Sequence, residues 1–489
     1  MSGSSFNLIS KGKIILLTLL MLNIGLIAQK IEVSTPLNYY DNTAQTTVIG
    51  QNETGLYILR QDYKNKTRNI SIDVFYPNKT TELKKSVVFI KEKEDFALQL
   101  FLTKKELLLF YGHFDKSNGI DYLKVKRLND QLESNKTDSV LFTFKDKKID
   151  LNHLIFERNK LLKSIFIMFP KDDEPNQLNY KLLNDTLKLI KEGNFAIQED
   201  KYQIKDVAHQ ERFASFLTLI NEPEANAKEN KPNYHYVLNN LDITTNQITQ
   251  TKLQNDSLFA IDAYLKSDLQ NKRIICGGIS KVNESYYTGF YGYNTTLDHL
   301  TPTLEYYPFT NQIRKNASKQ KLEDFYSLRT IDIIPKVDGG IIFTAEEFHS
   351  SKEVVPEMNI NGFNQVSYRY YFIYNNILVQ NQNKNGNQEW SKIIRKEQST
   401  INDDGAYSSF IAHQMKDKII FLYNDFSRKN TSLMAYILYP DGSDDTKIIV
   451  KPQEYKFKLL PRDGGQISPE EILLPGFTNK GLIHVKIGF

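Results

Sequence analysis

The 489-residue chain is poor in several things that would narrow its function. It has one cysteine, Cys276, so no internal disulfide can form and stability must come from core burial. It has one tryptophan, Trp390, which argues against a carbohydrate site built on tryptophan stacking. Net charge is only +4, with 62 basic against 58 acidic residues, which excludes the strongly basic face of a dedicated nucleic-acid binder. Long apolar runs are absent after residue 27, so no later segment reaches the roughly 20 residues needed to cross a bilayer as a helix. Walker loops, Gly-x-Gly-x-x-Gly, His-Glu-x-x-His and metal-spaced cysteine pairs are missing. Gly278-Ile279-Ser280 lacks the closing glycine of a nucleophile elbow. No catalytic residue and no metal ligand set follows from any motif.

What is present is β-forming. Phe and Tyr number 29 and 28, and both favour strands. Short apolar runs recur between Asn, Asp, Lys, Gly and Ser clusters along the chain, the pattern of strands bounded by turns. The helical spacing of Leu178, Leu182, Leu183, Leu187 and Ile190 is undercut by Asn179, Asn184, Asp185 and Thr186, so two strands turning at Asn184-Asp185 fit the stretch equally well. Tyr439-Pro440-Asp441-Gly442-Ser443 and Arg462-Asp463-Gly464-Gly465 are turns.

One stretch repeats. Ile419-Ile420-Phe421-Leu422-Tyr423-Asn424-Asp425-Phe426 has the shape of Leu107 to Phe114 and of Ile341 to Phe348: an apolar run, two small or polar positions, then Phe. The most apolar run of each section begins at Leu56, Leu107, Ile165, Phe216, Ile274, Ile341, Ile419 and Leu482. The intervals, roughly 50 to 80 residues, suit propeller blades with loop insertions. Three or four strand-like runs per interval supply a four-stranded blade. The expected fold is all-β, a β-propeller of about seven four-stranded blades, with six to eight inside the spacing. Its last strand, from Leu482, pairs with the first blade and closes the ring. Ser350 to Gln365 reads as a polar insertion.

The expected organisation is a signal peptide at 1–28, a lead-in segment at 29–46 and a single propeller domain at 47–489. Lys11 and Lys13 precede the apolar run Ile14 to Ile27, with cleavage near Ala28. The mature chain is therefore expected to be exported, to the periplasm, the cell surface or the medium. It is also expected to be monomeric, with no integral membrane segment after cleavage.

Ile377 to Gln380, a Gly386-containing turn, Glu389-Trp390 and Ile393-Ile394, preceded by Asp338-Gly339-Gly340-Ile341-Ile342, resemble the strand–turn–strand of uncharacterised exported bacterial β-propeller-type repeat proteins. The resemblance covers Asp338 to about Asp425 and implies architecture, with the tryptophan packed between blades, rather than an activity.

Aligned on its closing Phe, the repeat matches Gly112-His113, Glu346-Glu347 and Asn424-Asp425. If those runs are the same strand of different blades, His113, Glu346, Glu347, His349, Asn424 and Asp425 form a polar ring and a candidate binding site. The alternative for these residues is charge at strand ends that meet water. Ca²⁺ is the one cofactor candidate, at Asp441 to Asp445 or Asn402 to Gly405, where Asp and Asn also simply favour turns. The Asn381-x-Asn383-x-Asn385-Gly386 run is a polar hairpin turn. Tyr286, Tyr287, Tyr291 and Tyr293 could form a platform but more often are alternating strand residues.

The function expected from these absences is an exported, non-catalytic propeller that binds or scaffolds a protein, a glycan or a small ligand. The alternative is a propeller hydrolase or lyase with acids from separate blades, which three or more carboxylates or histidines in one funnel would favour. An outer-membrane barrel is the third reading, suggested by the alternation of Ile483, Val485, Ile487 and Phe489. Mean hydropathy of −0.45 weighs against it.

Overall fold

The second strand of each module explains the fold. Ser164–Lys171 and Ile419–Asp425 are buried along almost their whole length. A strand that is apolar at every position must be covered on both faces. Stacking small sheets face to face around an axis covers them so. The computed structural model is this arrangement, a β-propeller of eight blades. It describes residues 30–489 apart from 38–44, 65–66, 77–78, 91–94, 130, 135–137, 146–153, 172–173, 200, 223–232, 255–257, 283–287, 311–312, 314–326, 359–363, 427–430 and 452–456. The leader expected at 1–28 and Tyr286-Tyr287 lie outside the described residues.

Blade 1 comprises Gln45–Gln51, Leu56–Lys64, Thr67–Tyr76 and Lys79–Ile90. Blades 2, 3 and 4 open with Asp95–Leu102, Ile155–Asn159 and Gln203–His209. In blade 5 the first strand is broken into Leu258–Ala260 and Tyr264–Asp268. Blades 6 and 7 open with Leu328–Pro335 and Phe410–Gln414. Strands pair in antiparallel order within each sheet, and neighbouring blades' first strands touch, so these line the axis. The fourth strands are outermost and correspondingly polar, as in Leu189–Ala196.

Seven of the eight apolar marks fall on second strands, of blades 1 to 7. The eighth, at Leu482, falls on Gly481–Gly488, the third strand of an eighth blade. The eight blades lie within the six to eight expected, one above the preferred count of seven. Lys458–Leu459 with Gly465–Ser468, then Glu471–Thr478, precede that strand in the same sheet. The lead-in supplies the fourth strand, Lys30–Val33, which pairs with Val485 to Gly488. The ring is closed inside blade 8, by the two chain ends, rather than by one final strand joining blade 1.

Two local readings are resolved. Leu178 to Ile190 is not helical: Glu174–Asn184 turns into Leu189–Ala196, and Asn184 Oδ1 accepts from the backbone of Thr186 and Lys188. The polar insertion at Ser350 to Gln365 takes the form of a long hairpin: Ile341–Met358 and Asn364–Gln382 run on beyond blade 6. Tyr439 to Ser443 is the expected turn, with Gly442 at φ +81°, and Trp390 packs over it, Nε1 donating to Pro440 O at 2.8 Å. That contact joins blades 6 and 7. The eight separate sheets replace the barrel reading. Among the described residues no helix is long and apolar enough to cross a membrane.

Candidate functional site

His113, Glu347 and Asp425 are each the seventh residue of a second strand, in blades 2, 6 and 7, and Glu346 and Asn424 are each the sixth. The equivalence read from the repeat therefore holds in the strands. The sixth position faces the next blade. Glu346 is fully buried, 2.8 Å from the ammonium of Lys396, and accepts from Ser409 Oγ at 2.6 Å. Burial pushes Lys396 down, against the pull of Glu346. Asn424 does the same work at the next seam, its Nδ2 donating to Tyr407 O and Leu459 O, both at 2.8 Å. These two residues fasten blades to each other. Glu347 accepts from Asn376 Nδ2 at 2.9 Å. His113 stacks on Tyr122, and His349 stands exposed on the long hairpin.

The tyrosine platform is corrected: Tyr291 and Tyr293 are buried in blade 5, and burial raises both phenols. Cys276 is fully buried, as expected of a small core residue, with its thiol pushed up by desolvation. At the calcium candidates, Asp441 accepts from the backbone and hydroxyl of Ser443, and Asp403 accepts from Gly405 N. Among the described residues no three His, Cys, Asp or Glu side chains come together as a metal site.

A different polar set lies on the axis, on the first strands. Asp206 sits at a bulge in blade 4 and Asp332 at the matching bulge in blade 6. A bulge turns one extra residue out of the ladder and re-aims its side chain. Each Asp caps its own kink: Val207 N donates to Asp206 Oδ1 at 2.8 Å and Ile333 N to Asp332 Oδ1 at 2.9 Å. The other oxygen of Asp206 accepts from Leu265 N of blade 5 at 2.7 Å. Lys266 of blade 5 bonds Asp332 at 2.8 Å. Gln414 of blade 7 reaches Asp332 at 3.5 Å, and Gln466 of blade 8 donates to Gln414 O at 3.0 Å. Polar contacts thus run along the axis from blade 4 to blade 8.

Glu157, on the first strand of blade 3, completes the set. Its carboxylate pairs with His209 Nδ1, and His209 Nε2 bonds Ser164 Oγ at 2.7 Å. Carboxylate, imidazole and hydroxyl stand in the order of a nucleophilic triad. Ser164 is 5% exposed and His209 fully buried, so the hydroxyl is not presented to solvent, and the imidazole ties blade 4 to blade 3 beside Glu157. Asp206 lies within the field of Glu157. Burial raises its carboxyl first, and the charge of Glu157 raises it further against two backbone bonds and Lys266.

Sequence reasoning missed Glu157, Asp206, Lys266 and Asp332 because it followed the most apolar runs, which are second strands. The available signal was the short strand before each of them: Lys205-Asp206-Val207 and Ile331-Asp332-Ile333 both place an acid three residues from the strand end.

Comparison of the sequence finds no matching family model and no matching curated protein. Solved structures do match. The β-propeller domain of the Trilobed protease from Pyrococcus furiosus is 10% identical, with 82% of this chain and 97% of that one covered and a TM-score of 0.37. Prolyl oligopeptidase B from Galerina marginata is 9% identical, with 91% and 55% covered and a TM-score of 0.38. A polysaccharide lyase is 8% identical, with 80% and 89% covered and a TM-score of 0.34. The chain spans 55% to 59% of the prolyl oligopeptidase and acylaminoacyl peptidase chains it matches. The expectation of a non-catalytic binding or scaffold module is corrected at this point. The matched structures include peptidase propellers, a polysaccharide lyase and a eukaryotic initiation factor, and at this likeness they bear on the fold alone. The carboxyl groups Glu157, Asp206 and Asp332 on the first strands of three blades are what the hydrolase or lyase alternative asked for.

Proposed function

We propose that the chain is a hydrolase-type propeller whose acid–base groups are the axial carboxyls, with Asp206 as the proton donor and acceptor and Glu157 as its partner. One observation carries this: two carboxyls from adjacent blades, of which Asp206 is held toward its protonated form by burial and by the charge of Glu157. A carboxyl raised by burial beside a second carboxylate is an arrangement that can separate acid from base roles. Glu157 lies against the buried His209 imidazole. Asp332, neutralised by Lys266, serves as a substrate-facing polar group on the same axis.

The test is turnover by the purified chain on panels of peptide, ester and glycoside substrates. Asp206→Asn keeps one acceptor oxygen for the two backbone N–H donors and removes the exchangeable proton, so kcat is expected to fall on the order of 100-fold or more, with a drop in melting temperature no larger than the loss of one backbone bond. Glu157→Gln removes the charge that raises Asp206, so the basic limb of the rate profile should move to lower pH. Turnover that survives Asp206→Asn intact, or a wild-type chain inert on every panel, overturns the reading.

A further inference from the structure

A cavity of about 840 Å³ opens on the axis between blades 8, 1, 2 and 3, at the end where first strands turn into second strands. That is the size of a small-molecule site. All eight of those turns lie among the described residues. The cavity shares no residue with Glu157, Asp206 or Asp332.

Its space comes from a glycine. Just after the bulge of the first strand, blades 4 and 6 place Asp206 and Asp332, whereas blade 1 places Gly50 and blade 2 places Gln99. Gly50 holds φ +142°, a conformation suited to a residue without a Cβ, so no side chain of blade 1 enters the axis there. The same exchange removes the negative charge that blades 4 and 6 carry.

Four charged side chains line the cavity, and two of their charges are answered. Arg158 bonds Asp185 through Nε and Nη2 at 3.2 and 2.9 Å, and its Nη1 donates to Leu102 O. Lys104 pairs with Glu53 at 3.7 Å. Lys160 is exposed and has no partner among the described residues, and Lys163 of the same turn is exposed as well. The lining thus has one positive charge in surplus. The wall beside it is apolar at Ile49, Leu100 and Ile467. A concave, low-dielectric wall focuses the field of such a charge.

We infer that this cavity binds a small monocarboxylate with an apolar body, the carboxylate on Lys160 and the hydrocarbon against Leu100 and Ile467. Phosphate carries close to two negative charges and no apolar surface, so it matches neither the surplus nor the wall. Residues 1–29, which precede the described chain, have Lys11 and Lys13 as their only charges, so the surplus repels them.

The experiment is isothermal titration of the full chain with 3-phenylpropionate, with its neutral amide and with inorganic phosphate. The amide and phosphate should bind on the order of tenfold more weakly than 3-phenylpropionate. Lys160→Gln should weaken 3-phenylpropionate on the order of tenfold and leave the amide unchanged. Lys272→Gln, on the equivalent turn of blade 5, should change neither. No binding of 3-phenylpropionate overturns the inference. So does equal binding of its amide, a preference for phosphate, or the same loss in Lys160→Gln as in Lys272→Gln. Binding is read without turnover, so a chain inert on every hydrolase substrate leaves this site standing, and a failed titration leaves the acid–base reading of Asp206 untouched.

Discussion

Blade 8 has two seams, and they are built from different materials. Toward blade 7 it buries an apolar cluster that includes Ile420, Leu422, Leu433, Leu474, Ile483 and Val485. Toward blade 1 the apolar cluster shrinks to Leu56, Ile58, Phe75 and Leu473. The balance there is polar. Arg60 and Asp73, 1% and 0% exposed, are joined by Nε–Oδ2 and Nη2–Oδ1 bonds of 3.0 and 3.2 Å, with Ser86 donating to Asp73 at 2.5 Å. His484 lies in their field and edges onto Phe75. The difference follows from the chain. The seam between blades 7 and 8 joins strands close in sequence, whereas at the seam between blades 8 and 1 Leu473 and His484 meet Leu56, Ile58 and Phe75 from the far end of the chain, next to the pairing of Lys30–Val33 that closes blade 8. Oil packs with any oil, while a buried charge pair tolerates little but its own partner. The pair is satisfied inside blade 1 and is covered by His484 of blade 8; that this cover helps select which edge meets blade 1 is a hypothesis about specificity rather than stability.

The largest effect should come from halving that pair. Asp73→Ala leaves the Arg60 charge buried against Ile58 and Phe75, and is expected to cost about 3–5 kcal/mol, read by denaturant unfolding. Replacing both partners by Leu and Met should restore most of the loss while lowering the yield of correctly closed ring on refolding. A double replacement that refolds as cleanly as wild type would mean the polar seam selects nothing.

The second effect is pH dependence at the same seam. Burial holds the His484 imidazole down to about 4, so it stays neutral in the fold, with Asp73 pulling its pKa up and Arg60 pushing it down. A histidine whose pKa is lower when folded leaves stability untouched above the unfolded value of about 6.5. Below that, the unfolded chain takes up a proton the native ring refuses, and stability falls until pH reaches about 4. The loss is up to about 3 kcal/mol. His413, packed on Phe489 at the apolar seam and also held down to about 4, adds to the same window. His484→Phe should flatten melting temperature against pH between 6.5 and 4. Unchanged slope would place the acid sensitivity elsewhere.

How far the sequence reveals this molecule depends on which strand is asked. Second strands are covered on both faces, so Leu107 to Tyr111 and Ile419 to Tyr423 announce themselves as unbroken apolar runs, and the spacing of such runs gives the architecture. The blade count slipped by one because the eighth mark sits on a third strand and because Lys30–Val33 looks like a polar lead-in until Val485 to Gly488 is beside it. First strands have one face on the axis and kink at bulges, so Asp206 and Asp332 break the alternation that would advertise a strand. Their convergence is a property of the ring, invisible in any local window. Glu346 and Asn424 were found as equivalent positions, but pairing with Lys396 and with Leu459 O depends on the neighbouring blade, which no strand pattern specifies.

The smallest effect tests whether the apolar seam has any polar specificity of its own. Asn424 is 2% exposed and sends Nδ2 to Leu459 O in the first strand of blade 8, a buried side-chain bond from the repeat motif that crosses into that blade. Its backbone oxygen accepts from Gln398 Nε2 at 2.8 Å whatever the side chain is. Asn424→Ala therefore strands the carbonyls of Leu459 and Tyr407 without touching the strand ladder, and should cost about 1–3 kcal/mol. Since Ile420, Leu422 and Leu474 remain packed, refolding yield and pH slope should not change. If Asn424→Ala lowers refolding yield as much as the Leu and Met replacement of Arg60 and Asp73 does, the two seams select their partners in the same way, and the contrast between an oily joint and a polar latch fails.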